Sequence, residues 1–361
     1  MRGIMVHSLM ARGVSFEEAY RVANGVRDKI RGRPLVRRDE LTALLEGEFG
    51  GRLEPAPLPL ARPITVVDRH TRTPFSKGVL AQSLLAAAVA PDEAFEVAQA
   101  LEAELVQRKL TEIDRDVLRE RVAETLERTR GERAAARYRT WRAFHESDRP
   151  MILLLAGAAG VGKTALAQEV AHRLGIARVT STDSIRQVMR IMLSPQLAPA
   201  IHASSYDAWQ AVPGLADHED RVVEGFRAQA ATVSVGVRAM IERSINENSH
   251  IILDGVSIVP GLIDIARYRD EAHLIFLAVA TLDTAAYETR FEARARNSRR
   301  RPPHRYLENL DAILRIQDHL LELADQHGVP IVDNSRFDDS VLSILRHVTE
   351  TLRKQGGFGE S

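Results

Sequence analysis

The sequence predicts an α/β fold: a parallel five-stranded sheet with helices on both faces, preceded by a mainly helical N-terminal region. Three observations predict it. From Pro150 onward short apolar runs alternate with helical stretches, the pattern of strand–helix–strand units feeding a parallel sheet. A complete glycine-rich loop, Gly157-Ala158-Ala159-Gly160-Val161-Gly162-Lys163-Thr164, lies between the first of those runs and the first of those helices. Before residue 130 the chain carries an internal repeat of helical character.

The repeat defines the N-terminal building unit. Gly3–Asn24 aligns without gaps on Gly78–Gln99, and nine of the 22 positions are identical, from Gly3/Gly78 and Ser8/Ser83 to Val22/Val97 and Ala23/Ala98. Ser15 and Pro91 mark helix starts, with acidic residues in the first turn. Pro55, Pro57, Pro59 and Pro63 mark a linker between the copies. Only the second copy follows a strand-like stretch, Ile64–Arg72. With the hairpin sequence ITVVDRHTRTPFSKG and the helices after it, this copy resembles an ATP-cone, a small nucleotide-sensing regulatory domain. A plain helical cap or dimerisation module is the alternative. The charged stretch Ile113–Phe144, with Arg119, Arg121, Arg128 and Arg130, reads as one long amphipathic helix or a helix pair, and its arginines as a solvated face. The expected divisions are a helical half-repeat over 1–54, an ATP-cone-like domain over 61–130 and a phosphate-loop domain over 150–354.

In the last domain, strands are expected at Met151–Ala156, Arg178–Ser181, His250–Asp254, His273–Val279 and Val329–Val332, and a helix at Ala165–Leu174. Five strands with the loop after the first suit a P-loop, nucleoside-kinase-like sheet. Right-handed crossovers then bring the functional loops to the carboxyl ends of the strands.

The loop matches G-x-x-x-x-G-K-[ST] at every fixed position, between a strand and a helix as that motif requires. Glycines let the backbone curl its N–H groups toward anionic oxygens, and the helix adds its positive end. Gly157–Thr164 is therefore expected to hold a nucleoside triphosphate, with Lys163 at the β/γ-phosphates and the Thr164 hydroxyl on Mg²⁺. Asp254 ends the apolar run Ile251–Leu253 and is a second expected Mg²⁺ ligand. Asp183 follows the second strand, placed to orient or deprotonate an acceptor hydroxyl or to help hold the metal; capping the helix Ser184–Ile191 is its structural alternative. Arg186 and Arg190 share one face of that helix and suit a carboxylate or phosphate on the acceptor. Ser204, Ser205 and Tyr206 form a polar cluster for the same acceptor, although Tyr206 and Trp209 equally suit a core. The segment RFEARARNSRRRP crowds six arginines, of which Arg290 and Arg294 are the expected lid residues closing over the transferring phosphoryl group.

Bulk composition excludes other classes. Lys+Arg and Asp+Glu both number 49, so no global charge draws the chain to nucleic acid or an anionic membrane. There is no cysteine, hence no disulfide, thiolate metal site or cysteine nucleophile. No run approaches the length of a membrane span, and the first twenty residues lack a signal-peptide core, so a cytoplasmic protein is expected. Self-association is left open.

Several blocks together resemble the 2-phosphoglycerate kinase family: LLLAGAAGVGKTALAQEVAHRLGI, STDSIRQVMR, HASSYDAW, DGVSIVPG, the arginine segment and RYLENLDAILRIQDHLLELADQHGVPIVDN. The resemblance covers about Arg62–Asn334. It implies transfer of the ATP γ-phosphoryl to the 3-hydroxyl of 2-phosphoglycerate, giving 2,3-bisphosphoglycerate. An acceptor bearing both carboxylate and phosphate accounts for arginines on helix and lid. Two other readings compete: a kinase for another anionic hydroxy-metabolite or a nucleotide, and a non-catalytic ATP sensor. The extra N-terminal half-repeat departs from the simplest layout of the family.

Overall fold

The apolar runs after Pro150 become strands of one sheet. The computed structural model describes residues 64–69, 71–215, 219–282 and 304–356, with side chains from Tyr306 onward in the last stretch. Before residue 64 it describes only isolated positions such as Leu9 and Val26. The half-repeat expected over 1–54 and the arginines expected at 290–301 lie outside the described residues. The chain divides into Met1–Thr65 and Val66–Ser361.

Strands β1 (Thr65–Asp68) and β2 (Thr71–Pro74) form the hairpin, and β3 (Glu112–Asp114) joins them in the order β2-β1-β3. Helix α1 (Lys77–Ala86) starts where the Ser76 hydroxyl accepts from the Val79 N–H, and α2 (Pro91–Gln107) carries its proline in the first turn, where a missing N–H costs nothing. The charged stretch is a helix pair, not one rod: α3 (Arg115–Arg130) and α4 (Glu132–Phe144) break at Gly131, where φ is 86°. Ile113 belongs to β3, and Asp114 caps α3 through the N–H groups of Asp116 and Val117. Four arginines of α3 pair within this region: Arg115 with Asp68, Arg119 with Asp116 and Glu146, Arg121 with Glu104, Arg130 with Glu93 and Glu96.

The main sheet has the order β5-β6-β4-β7-β8, with every adjacent pair parallel. Its strands are β4 (Met151–Ala156), β5 (Val179–Ser181), β6 (Ile251–Gly255), β7 (His273–Ala280) and β8 (Ile331–Asp333). β4, β6 and β7 are buried along their whole length, which is why they read as unbroken apolar runs rather than alternating ones. β8 begins two residues later than expected. The Val329 N–H is engaged by the Ala324 carbonyl at 2.8 Å, and Pro330 has no N–H to donate to a ladder.

Helices α5 (Lys163–Leu174), α6 (Thr182–Met192), α7 (Arg221–Asn246), α8 (Leu310–Gln326) and α9 (Phe337–Gly356) complete the domain. One core packs Ile152, Leu154 and Ala156 of β4 with Val233, Val237 and Ile241 of α7 and with Phe276 of β7. α5 ends on Gly175 in the left-handed conformation, and the Gln82 side-chain amide of α1 donates to the carbonyls of His172 and Arg173 in its last turn, at 2.9 and 3.0 Å.

His273 opens β7 fully buried, edge-on to the Phe144 ring at 5.6 Å and within 3.2 Å of the Ser147 hydroxyl. Burial first, then the nearby Arg149 charge, pushes its pKa down to about 4. Burial also lowers the neighbouring His250 and His145. A histidine held neutral in the fold binds its proton more readily once unfolded, so stability falls as pH drops from about 6.5 toward 4. For His273 alone we expect about 2 kcal/mol less stability at pH 5 than at pH 7.5. Denaturant melts at the two pH values check this, and a His273→Gln protein should lose about 2 kcal/mol of the difference, leaving the share of the other buried histidines.

Candidate active site

The sheet topology creates the site. The chain leaves β4 toward β6 and β5 on one side and later returns to β7 and β8 on the other. The crevice at the carboxyl end of β4 is thus the switch point where open α/β sheets bind ligands. The glycine-rich loop occupies it. Gly157 has φ 145°, and a Cβ there would sit 2.2 Å from the Val279 carbonyl of β7, so only glycine lets the loop leave the strand this tightly. The loop is held from the far edge of the sheet by Asn334, whose side-chain amide donates to the Val161 carbonyl at 2.8 Å.

Lys163 begins α5 with little exposure, and its ammonium donates to the Ala158 carbonyl at 2.6 Å, folding the side chain back over the loop. β6 lies beside β4 in a register that sets Asp254 opposite Leu155. The Thr164 hydroxyl consequently donates to Asp254 Oδ2 at 2.7 Å across 90 residues of sequence. Asp254 is 2% exposed, and its second oxygen, Oδ1, is buried with no hydrogen-bond partner. Burial pushes its carboxyl pKa up; the Thr164 hydrogen bond and Lys163 pull the other way, and Asp183 adds to the rise. Gly255 follows with φ 155°. A Cβ there would fall 1.8 Å from the Thr182 hydroxyl, so the glycine lets α6 start against the end of β6.

The cap of α6 is not Asp183. Ser181 caps the helix by accepting from the Ser184 N–H, the helix begins at Thr182, and Asp183 stands in its first turn. That corrects the expected start at Ser184 and leaves the Asp183 carboxylate for other work. It pairs with Arg186 at 3.2 Å. Arg186 also donates to the Ala203 carbonyl, so its guanidinium is already engaged in orienting neighbours. Arg190 lies one turn on, toward Gln187 at 3.4 Å. Tyr206, 4% exposed, meets Tyr306 edge-to-face at 6.2 Å and is both a packed residue and part of the site wall.

One cleft of about 800 Å³ gathers these groups: Ala159, Gly160, Lys163 and Thr164 on one side, Asp183, Arg186 and Arg190 on another, with Ser204, Ser205, Tyr206 and Asp254 between. Gly157, Ala158, Val161 and Gly162 build the loop behind that wall. Arg290 and Arg294 lie outside the described residues. Sequence reasoning missed Ser181, Gln229 and Tyr306, which also line the cleft. Gln229 carried a legible signal, a polar residue on the apolar stripe Val222-Phe226-Val233-Val237 of α7.

A 2-phosphoglycerate kinase of Methanopyrus kandleri is 40% identical over 296 residues, 81% of this chain and 89% of that protein. The chain belongs to the 2-phosphoglycerate kinase family. Other members include those of Pyrococcus horikoshii, 35% identical over 82% of this chain and 97% of theirs, and Methanothermobacter thermautotrophicus, 40% identical over 79% and 94%. The ATP cone domain family matches residues 66–147, a span that takes in both α3 and α4. Among the described residues no helix is long and apolar enough to cross a membrane.

Proposed function

We propose that the protein transfers the γ-phosphoryl group of ATP to the 3-hydroxyl of 2-phosphoglycerate, forming 2,3-bisphosphoglycerate and ADP. The observation that carries the reading is the single cleft in which a phosphate loop faces a carboxylate–arginine pair and a serine-lined wall. Phosphoryl transfer asks the protein chiefly to position two anions and neutralise charge. Backbone N–H groups of Gly157–Thr164 hold the ATP phosphates, and Lys163 swings from the Ala158 carbonyl onto the β/γ-oxygens. Asp183, oriented by Arg186, takes the proton of the attacking hydroxyl as the new O–P bond forms and the bond to ADP breaks. Arg190, Ser204 and Ser205 bind the acid and phosphate of the acceptor, and Arg290 and Arg294 close over the transferring group.

Mg²⁺ fits the donor set. The unpartnered buried oxygen of Asp254 beside the Thr164 hydroxyl suits a hard cation, which takes few protein ligands and completes its shell with phosphate and water. When bound, the ion would supply positive charge against the phosphates of the nucleotide. The reading describes a cytoplasmic, small-molecule reaction with no nucleic-acid or membrane partner.

Purified protein incubated with ATP, Mg²⁺ and a panel of phosphoglycerates and other hydroxy acids, followed by phosphorus NMR, tests this. The expected result is 2,3-bisphosphoglycerate from 2-phosphoglycerate alone. Product from another acceptor only would transfer the reading to that acceptor, and no acid-dependent product would leave an ATP sensor.

A further inference from the structure

We propose that Gln229 is a positioning residue of the acceptor site, retained for its two amide hydrogens at the expense of stability. The inference rests on the kinase reading above.

Gln229 sits in the middle of α7 on the helix's buried stripe, 1% exposed, and forms part of the cleft wall. Its Nε2 donates to the carbonyls of Ala200 at 2.6 Å and Ala203 at 3.0 Å. Carbonyls only accept, so two of them facing one end of the amide leave a single assignment for its nitrogen and oxygen. The oxygen then points away, and Oε1 is buried with no hydrogen-bond partner. An unsatisfied buried acceptor destabilises a fold, and an apolar side chain of the same length would fill the place without that cost. Packing therefore does not explain a glutamine here.

What the amide holds does explain it. Ala200 and Ala203 bracket the turn that delivers Ser204, Ser205 and Tyr206 to the cleft. The Ala203 carbonyl is gripped a second time by Arg186, the residue paired with Asp183. The acceptor-binding wall and the proton-accepting carboxylate are thus tied to one carbonyl oxygen, approached from α6 by a guanidinium and from α7 by an amide. Displacing such a turn by an ångström is enough to disturb in-line transfer. Removing the amide orphans neither carbonyl: Ala200 still accepts from the Ala203 N–H at 3.4 Å, and Ala203 from Arg186.

Gln229→Met separates positioning from support. We expect its melting temperature to equal or exceed that of the wild type. Its KM for the acceptor should rise at least tenfold with KM for ATP within twofold, and amide hydrogen exchange over 200–206 should quicken at least tenfold while the rest of α7 is unchanged. Gln229→Glu, equal in shape but without donors, should fail at least as badly. An acceptor KM within twofold of wild type in the Met variant, or unaltered exchange over 200–206, overturns the proposal. So does a melting temperature lowered by more than about 5 °C, which would mark Gln229 as ordinary structural support. If the wild type forms no acid-dependent product the kinase reading fails, and the exchange measurement still decides whether the amide positions the turn.

Discussion

Lys163→Met lowers kcat by about a thousandfold or more, with little change in folding. The ammonium is the one cation of the glycine-rich loop, a compact charge on a flexible stem, already inside the cleft and donating to the Ala158 carbonyl. Its methylenes pack at the loop, with Cδ 3.3 Å from where a Cβ on Gly157 would lie. Methionine keeps that apolar stem and removes the charge. The cost to the fold includes the hydrogen bond to Ala158, about 1 kcal/mol, and the loss of a positive charge near buried Asp254. The cost to the reaction is the stabilisation of charge developing on the phosphoryl oxygens, which nothing else on the loop supplies at that point. Steady-state rates at saturating ATP, set beside a thermal melt, decide the matter. A folded variant retaining more than a tenth of wild-type kcat would remove Lys163 from the reaction.

Asp254→Asn separates function from stability more sharply still. Asparagine preserves the shape and can still accept from the Thr164 hydroxyl, but it carries no charge to hold a cation. We expect kcat/KM to fall about a hundredfold or more, and the half-saturating Mg²⁺ concentration to rise. The melting temperature at pH 7.5 should hold or increase. The sign follows from the pKa. Burial raises it in the fold above its unfolded value, so the folded state prefers the protonated acid, and above that pKa the ionised carboxylate is a burden on stability. The neutral amide relieves it. Calorimetry at pH 7.5 and rates over a Mg²⁺ titration provide both readouts; a variant that melts several degrees lower while keeping full activity would make Asp254 a structural residue.

Much of this site is visible in the chain before any folding. The glycine pattern of 157–164 is legible because phosphate binding by backbone N–H groups demands glycine at fixed offsets. The strand before it is legible because a parallel strand covered on both faces must be apolar throughout. Asp254 is legible as the polar end of the next such run. Asp183 and Arg186 are legible as chemistry, but not as partners of one another or of Ala203. The helix start for which Asp183 was the alternative cap uses Ser181, because either residue type can accept from a first-turn N–H and local sequence does not choose between them. Gln229 left a visible signal whose meaning was not legible. A glutamine on a long amphipathic helix reads as a minor flaw in a stripe until the turn it holds is brought against it.

Composition and short-range pattern by themselves determined the parallel sheet and the glycine-rich loop, and raised the expectation of an anionic ligand beside it. These depend on strand burial, backbone conformation and residue chemistry, all of which act within a few residues. Only the tertiary structure decided which groups meet. The Thr164–Asp254 hydrogen bond requires β6 to lie against β4, and the Asn334–Val161 bond spans 173 residues from the sheet's far edge. The shared grip on Ala203 needs two helices separated by a long loop. Such contacts arise from the crossover topology and the packing of helices on the sheet, and so leave no trace in the local order of residues.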